Sequence, residues 1–185
     1  MSVVIDRRRF TVEEYHQMTE SGILTREDRV ELINGEIISM SPINSPHAGC
    51  VKRINALFTR ILREQVVVSV QDPLVVNDFS EPEPDVMLLK YRDDFYADAH
   101  PRPTDVYLLI EVADSSLPID REVKLPLYAQ AQIPEVWIIN LAERTIEGYR
   151  SPSEGRYQET WVATREQEVT LPHFSINAAV KDLIG

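Results

Sequence analysis

The spacing of apolar residues changes period several times along the chain, and each change marks an element. Thr11 stands where it can cap a helix running to Glu20, with Glu14 three residues on at the capping-box position. RVELI and EIISM then flank Asn34-Gly35, the signature of two short strands joined by a type I′ turn. From about Pro46 to Glu64 the period becomes helical. Val51, Ile54, Leu57, Phe58, Ile61 and Leu62 make the apolar stripe, and Pro46 suits the first turn. The bases Lys52, Arg53, Arg60 and Arg63 flank that stripe, as a solvated face or as a phosphate-contacting surface.

Strand signals follow at 66–70 (VVVSV), 73–76 (PLVV), 85–89 (DVMLL) and 106–112 (VYLLIEV). The unbroken apolar run at 106–110 predicts a central strand covered on both faces. Asp120 to about Gln132 reads as a helix with Val123, Leu127, Tyr128 and Ala131 on one side. Pro126 should kink it or delay its start. EVWIIN at 135–140 reads as another buried strand, TIEGYR, RYQETWV and EVTL as a strand-rich ending, and Ser175 as the cap of a last short helix. Irregular stretches at Ser39–Pro46, Asn77–Pro84, Asp93–Pro103 and Ser151–Gly155 read as loops around one core. No repeat or linker divides the chain, so a single domain over 1–185 is expected. The fold class expected is α+β: a mixed sheet flanked by helices, with additional antiparallel strands.

Composition narrows the function classes. A chain of 185 residues needs no disulfide or structural zinc to build a core, and the lone Cys50 rules out both a disulfide framework and a multi-Cys zinc site. MSVVIDRRRF has its bases after a short apolar patch, the wrong order for a signal peptide, and no apolar run approaches the ~18 residues of a membrane span. A cytoplasmic protein without membrane contact is expected. The formal charge of −11 argues against gripping nucleic acid by bulk electrostatics, though not against a local site. Gly-rich phosphate loops, G-x-S-x-G and H-x-x-x-H are all absent.

The chemistry gathers in the middle of the chain. Asp85 follows a proline at the head of an apolar strand, and Glu111 closes YLLIEV. A carboxylate ending such a run needs a cation or several hydrogen bonds. If the two strands are neighbours, Asp85 and Glu111 could share a hard cation at one sheet edge, with the Val112 carbonyl as a further ligand. Magnesium suits this set, and manganese is possible. Lys124 and Asp120 stand four apart and share a helical face. A lysine beside a metal can orient the attacking water and stabilise charge on a phosphoryl group. Each residue also has an ordinary reading: Asp85 as a turn cap, Glu111 in a structural ion pair, Lys124 in an exposed pair with Asp120.

The order Pro84-Asp85 then Glu111-Val112-Ala113 resembles the PD-(D/E)XK nuclease superfamily. More narrowly, RVELINGEIISMSP, His47, EPEPDV, LLIEVADSS, DREVK and YAQAQIPEVWIIN together resemble the Uma-type restriction endonuclease family common in cyanobacteria, over about residues 10–145. The resemblance implies a restriction-endonuclease-like core with catalysis at the sheet edge, and Asp85 and Glu111 as metal ligands. The motif lysine expected two residues after the glutamate is Ala113 here. Lys124, in the following helix, matches the lysine that stands in for it in this family. Restriction enzymes often dimerise, so a homodimer is expected by analogy.

Glu31, Glu36 and His47 are secondary candidates. Either glutamate could add a metal contact or simply face solvent on the hairpin, and His47 could contact phosphate or water or be a surface residue at a helix terminus. The leading expectation is a magnesium-dependent endonuclease acting on DNA, with Asp85, Glu111 and Lys124 catalytic. The alternative is an inactive nuclease-fold module that binds nucleic acid or a protein partner. For either, Lys52, Arg53 and Arg60, with Arg7, Arg8, Arg9 and Arg63, are the candidate DNA contacts. Trp137 and Trp161 are read as core residues, or as an interface in a purely structural oligomer.

Overall fold

A computed structural model describes residues 7–25, 27–171 and 173–185. The apolar patch at 3–5 lies outside them. Thr11 caps helix α1 (Val12–Glu20) with a complete capping box: its hydroxyl accepts from the Glu14 N–H, and the Glu14 carboxylate accepts from the Thr11 N–H. Strands β1 (Val30–Ile33) and β2 (Glu36–Ser39) pair antiparallel. Their turn residues Asn34 and Gly35 hold φ of 53° and 79°, as a type I′ turn requires. Helix α2 (Ser45–Leu62) is capped by Asn44, whose side-chain oxygen accepts from the His47 N–H, with Pro46 in the first turn.

The main sheet has six strands: β3 (Val66–Ser69), β4 (Val86–Lys90), β5 (Val106–Ala113), β6 (Glu135–Asn140), β7 (Thr145–Ser153) and β8 (Arg156–Thr164), in that spatial order. Every neighbouring pair is antiparallel except β5 and β6, which run parallel. A parallel pair cannot be closed by a tight turn and needs a long crossover. Here the crossover is helical: α3 (Leu117–Ile119), a π turn over Asp120–Lys124, and α4 (Leu125–Gln130). A second small sheet pairs β9 (Glu168–Leu171) with β10 (Ile176–Ala179), and α5 (Val180–Ile184) ends the chain.

Strand side chains alternate between two cores. On one face Val86, Leu88, Leu108, Ile110, Val112, Trp137 and Ile139 pack with the α2 stripe and with α5. On the other, Met87, Leu89, Leu109, Ala113, Val136 and Ile138 pack with Ile33 of the hairpin and Leu127 and Tyr128 of the crossover. The fold is thus α+β, a mixed sheet with helices on both faces. Among the described residues, no helix is long and apolar enough to cross a membrane.

Four expectations are corrected. PLVV at 73–76 is not a strand: the N–H groups of Leu74 and Val76 donate to the Pro82 and Ser80 carbonyls in antiparallel register, but Pro82 has no N–H to return a bond and Val75 donates instead to Pro101, so no ladder forms although Leu74 and Val76 are buried. The stretch Ser151–Gly155 is not an open loop. It closes the β7–β8 hairpin through Glu154 and Gly155, both at positive φ. Ser175 does not cap the last helix, because β10 intervenes and α5 starts at Val180, after Ala179, which offers no side-chain cap. Pro126 does not delay the crossover, which is helical without a break from Leu117 to Gln130. The Leu125 N–H reaches back five residues to the Asp120 carbonyl, and this wider turn leaves Pro126 in the first turn of α4, where its missing N–H costs least. Trp137 is fully buried, with the Trp161 ring edge-on to it at 5.8 Å; together they belong to the core rather than to an exposed interface.

Candidate active site

The register of β4 and β5 pairs Val86 with Ile110, and one further step sets Asp85 against Glu111. Both carboxylates therefore leave the sheet on the face of the hairpin and the crossover, at the end of a strand pair whose other positions, Tyr107 and the exposed Lys90 aside, are apolar. Asp85 is held from three sides. Its Oδ1 accepts from Gln71 Nε2 at 3.1 Å, while Oδ2 accepts from the Val112 N–H at 2.9 Å and meets His47 Nε2 at 3.1 Å. In an extended strand the N–H and C=O of one residue share an edge, so the Val112 carbonyl faces the same side as Asp85.

The crossover delivers the cation. Asp120, Lys124 and Tyr128 follow one another at intervals of four, and all three are buried. Lys124 Nζ lies 3.4 Å from Glu111 Oε1 and 3.0 Å from Glu31 Oε2. Tyr128 donates its hydroxyl to the same Glu111 Oε1 at 2.6 Å. Asp120 does not pair with Lys124; it accepts from Ser116 Oγ at 2.7 Å. Arg121, on the outer side of the π turn, clamps the buried Glu147 of β7 through two hydrogen bonds, and Tyr149 donates to the same carboxylate. The crossover is thereby tied to the sheet beside the residues it presents.

Of the two hairpin glutamates, the structure brings Glu31 to the cleft and leaves Glu36 away from it. Glu31 is 4% exposed and also accepts from the Glu83 N–H. Glu36 stands opposite Ile33 at the turn end of the hairpin, where it is exposed and pairs with Arg7. His47 is neither free nor fully exposed: it projects from the first turn of α2 onto Asp85. The basic residues Lys52, Arg53, Arg60 and Arg63 are exposed along α2, opposite its buried stripe. Arg8 is engaged by Glu14.

Glu31, His47, Gln71, Glu83, Asp85, Glu111, Asp120 and Lys124 line a cleft of about 80 Å³, together with Arg29, Met40, Ile43, Asn44, Asp114 and Ile119. That volume suits a few waters or a cation with part of its shell, and falls short of the ~300 Å³ or more of a pocket for an organic ligand. Its electrostatics are those of crowded carboxylates. Burial, reinforced by Asp120 and Asp85 against the opposing pull of Lys124, pushes the Glu111 carboxyl up to about 8. Burial likewise raises Asp120, and burial with the charge of Glu31 raises Glu83. Burial alone would lower the Lys124 ammonium, but Glu111, Glu31 and Asp120 hold it well above its ordinary range, so it stays charged. The hydrogen bond to Asp85 raises His47 against the effect of burial.

The donor set, two carboxylates and a main-chain carbonyl, fits a hard divalent cation. Among the described residues, no group of three or more His, Cys, Asp or Glu side chains is disposed to hold a metal. The fit is therefore that of a site completed by water and substrate oxygens, as magnesium prefers, and not of an all-protein cage. Tyr128, Gln71 and the Arg121–Glu147 clamp escape the sequence reading. Tyr128 alone carried a signal, standing four residues beyond Lys124 on the same helical face.

Among solved structures, the chain is similar to one described as a putative nuclease belonging to DUF820 from Anabaena variabilis ATCC 29413. The TM-score is 0.73 and the identity 17%, with 95% of this chain and 97% of that chain covered; at that identity the likeness speaks for the fold. No curated protein matches the chain. Residues 12–180 match the family described as "Uma2: Putative restriction endonuclease", a span covering most of the chain, and the protein belongs to that family.

Proposed function

We propose that the protein is a divalent-metal-dependent endonuclease that hydrolyses DNA phosphodiester bonds, and that Asp85, Glu111 and Lys124 carry the reaction. The observation that supports this most is the convergence of two facing strand-end carboxylates with a buried lysine delivered by the parallel crossover of the main sheet. Asp85 and Glu111, with the Val112 carbonyl, would hold magnesium or manganese. When bound there, such a cation supplies a lowered pKa for its water and neutralises charge on the phosphoryl oxygens. Lys124 remains an ammonium and offers its donors to the attacking water or to the phosphoryl group. Gln71, His47 and the Val112 N–H fix the Asp85 carboxylate, so its orientation precedes substrate binding. The exposed bases of α2, Lys52, Arg53 and Arg60, supply the phosphate contacts outside the cleft. A homodimer in the cytoplasm would be the arrangement for cutting both strands.

The test is incubation of purified protein with supercoiled plasmid and single-stranded DNA, in Mg²⁺ and separately in Mn²⁺. Nicking is expected from wild type and from Glu36→Gln, whose side chain is exposed and outside the cleft, and not from Asp85→Asn. Nicking by Asp85→Asn at the wild-type rate refutes the assignment. Absence of nicking with any metal or DNA form, alongside DNA association that survives Asp85→Ala without metal, favours the binding module instead.

A further inference from the structure

Glu111 presents a problem of orientation that its backbone does not solve. The last torsion of a glutamate is broad and roughly two-fold, so the strand places the carboxylate without fixing which oxygen faces the cleft. Two donors reach the same oxygen, Oε1: Tyr128 Oη at 2.6 Å and Lys124 Nζ at 3.4 Å. Lys124 lies closer to Glu31, at 3.0 Å, so the phenol is the firmer of the two contacts. Oε2 accepts no hydrogen bond from a described residue, and Glu111 is one of the residues lining the cleft.

We propose that Tyr128 is a positioning residue that binds Oε1 of Glu111 and thereby turns Oε2 toward the cleft as the cation-facing oxygen. This rests on the metal-dependent reading above and adds to it a residue outside the Asp–Glu–Lys set. Tyr128 suits the task because it is fully buried in the core between the crossover and the sheet, alongside Leu127, Ile133 and Ile138. A buried phenol must find an acceptor, and Glu111 is the acceptor present. The ring packs as a core residue and its hydroxyl is committed. The same side chain thus serves the fold and the site, and removing the oxygen separates the two roles.

The experiment is Mn²⁺ binding to the full-length protein, followed by calorimetry and by the electron paramagnetic resonance signal of free Mn²⁺. Wild type, Tyr128→Phe and Tyr157→Phe are compared. Tyr157→Phe is the control, because it removes the hydrogen bond from a partly buried phenol to the Ile133 carbonyl and touches no carboxylate. Loss of a group that orients a metal ligand typically weakens binding by about 10- to 100-fold. That loss is expected for Tyr128→Phe, with Tyr157→Phe within about twofold of wild type on the same scale. If wild type binds Mn²⁺ and Tyr128→Phe binds it equally well, the positioning role is overturned while the metal reading stands. If both tyrosine variants weaken binding alike, the effect is loss of packing and the proposal fails. If wild type binds no Mn²⁺, the metal reading itself falls and the proposal with it. Should Tyr128→Phe not fold, a crystal structure of wild type with Mn²⁺ decides. Tyr128 Oη bonded to the glutamate oxygen that does not touch the metal supports the inference, and a metal held through the oxygen facing Tyr128 overturns it.

Discussion

Lys124 is placed so that its removal should unfold the protein as well as silence it, and the two effects must be separated. Its ammonium is buried, with a side chain 7% exposed, and it lies between Glu31 at 3.0 Å and Glu111 at 3.4 Å. Lys124→Met keeps the length of the side chain and removes the charge, leaving the buried Glu31 and Glu111 side chains without their shared cation. Breaking a buried ion pair from one side costs about 3–5 kcal/mol. In a chain of this size each kcal/mol moves Tm by about 2–4 °C, so a fall of about 6–20 °C is expected. The assay is calorimetric and urea unfolding of metal-free protein at pH 7. The double variant Glu31→Gln/Lys124→Met removes one of the abandoned carboxylates and should recover at least about 1 kcal/mol relative to Lys124→Met, within the range of coupling seen between contacting residues. A loss below about 1 kcal/mol for the single variant, with no recovery in the double, would mean that water reaches the lysine and that the buried pairing is wrong. The double variant then serves the nuclease assay: if it folds as well as wild type and does not nick while Glu31→Gln alone still does, the lysine is needed for chemistry and not only for stability.

Gly148 of β7 has no room for a side chain, since an added Cβ would stand 1.9 Å from the Trp161 ring; Gly148→Ala should lose about 1–3 kcal/mol or more and change the near-ultraviolet dichroism of the paired tryptophans. The clamp between Arg121 and Glu147 should show in acid: burial would raise the Glu147 carboxyl, but Arg121 and Tyr149 outweigh it and hold it below 4.5. A lowered folded value stabilises above the unfolded value and is lost as pH falls through the folded one, so Arg121→Met should be less stable than wild type above about pH 5, with the gap closing below pH 4.5 in urea titrations. Replacing Lys52, Arg53 and Arg60 by Gln should flatten the dependence of DNA affinity on salt, measured without metal, by up to about 0.9 in log–log slope for each phosphate that these bases neutralise; an unchanged slope places the DNA elsewhere.

What could be read from the chain and what could not divide along physical lines. Local rules carried the capping box at Thr11, the Asn34-Gly35 turn and the α2 stripe, because each depends on residues within a few positions of one another. Asp85 and Glu111 were legible as oddities, charges where an apolar strand begins and ends, but their meeting depended on a strand register that no local pattern states. Glu31 and Glu36 show the limit well. They have the same chemistry on one hairpin, and they differ only in that Glu36 sits at the turn end and Glu31 faces a crossover helix arriving from more than eighty residues away. The π turn escaped because its cause is negative: Pro126 has no N–H to give, and the helix widens one turn earlier to accommodate it. PLVV has the composition of a strand and lacks a partner with a continuous free edge.

The charge of −11 takes on a more specific meaning once it is located. Glu31, Glu83, Asp85, Glu111, Asp114 and Asp120 all line the cleft, against Lys124, Arg29 and His47; Glu83, Glu111 and Asp120 are raised by burial first and by neighbouring carboxylates second. A phosphodiester approaching that cleft meets repulsion until positive charge is supplied there, whereas the bases of α2 attract it with or without a cation. The two contributions should therefore separate. The grip of α2 should be salt-sensitive, metal-independent and, on an acidic protein, weak. The increment from the cleft should require the cation and vanish when Asp85 or Glu111 is neutralised. On the proposed function, DNA would be admitted productively only to the metal-loaded protein, and the carboxylates that oppose non-specific binding would make productive binding conditional on the metal.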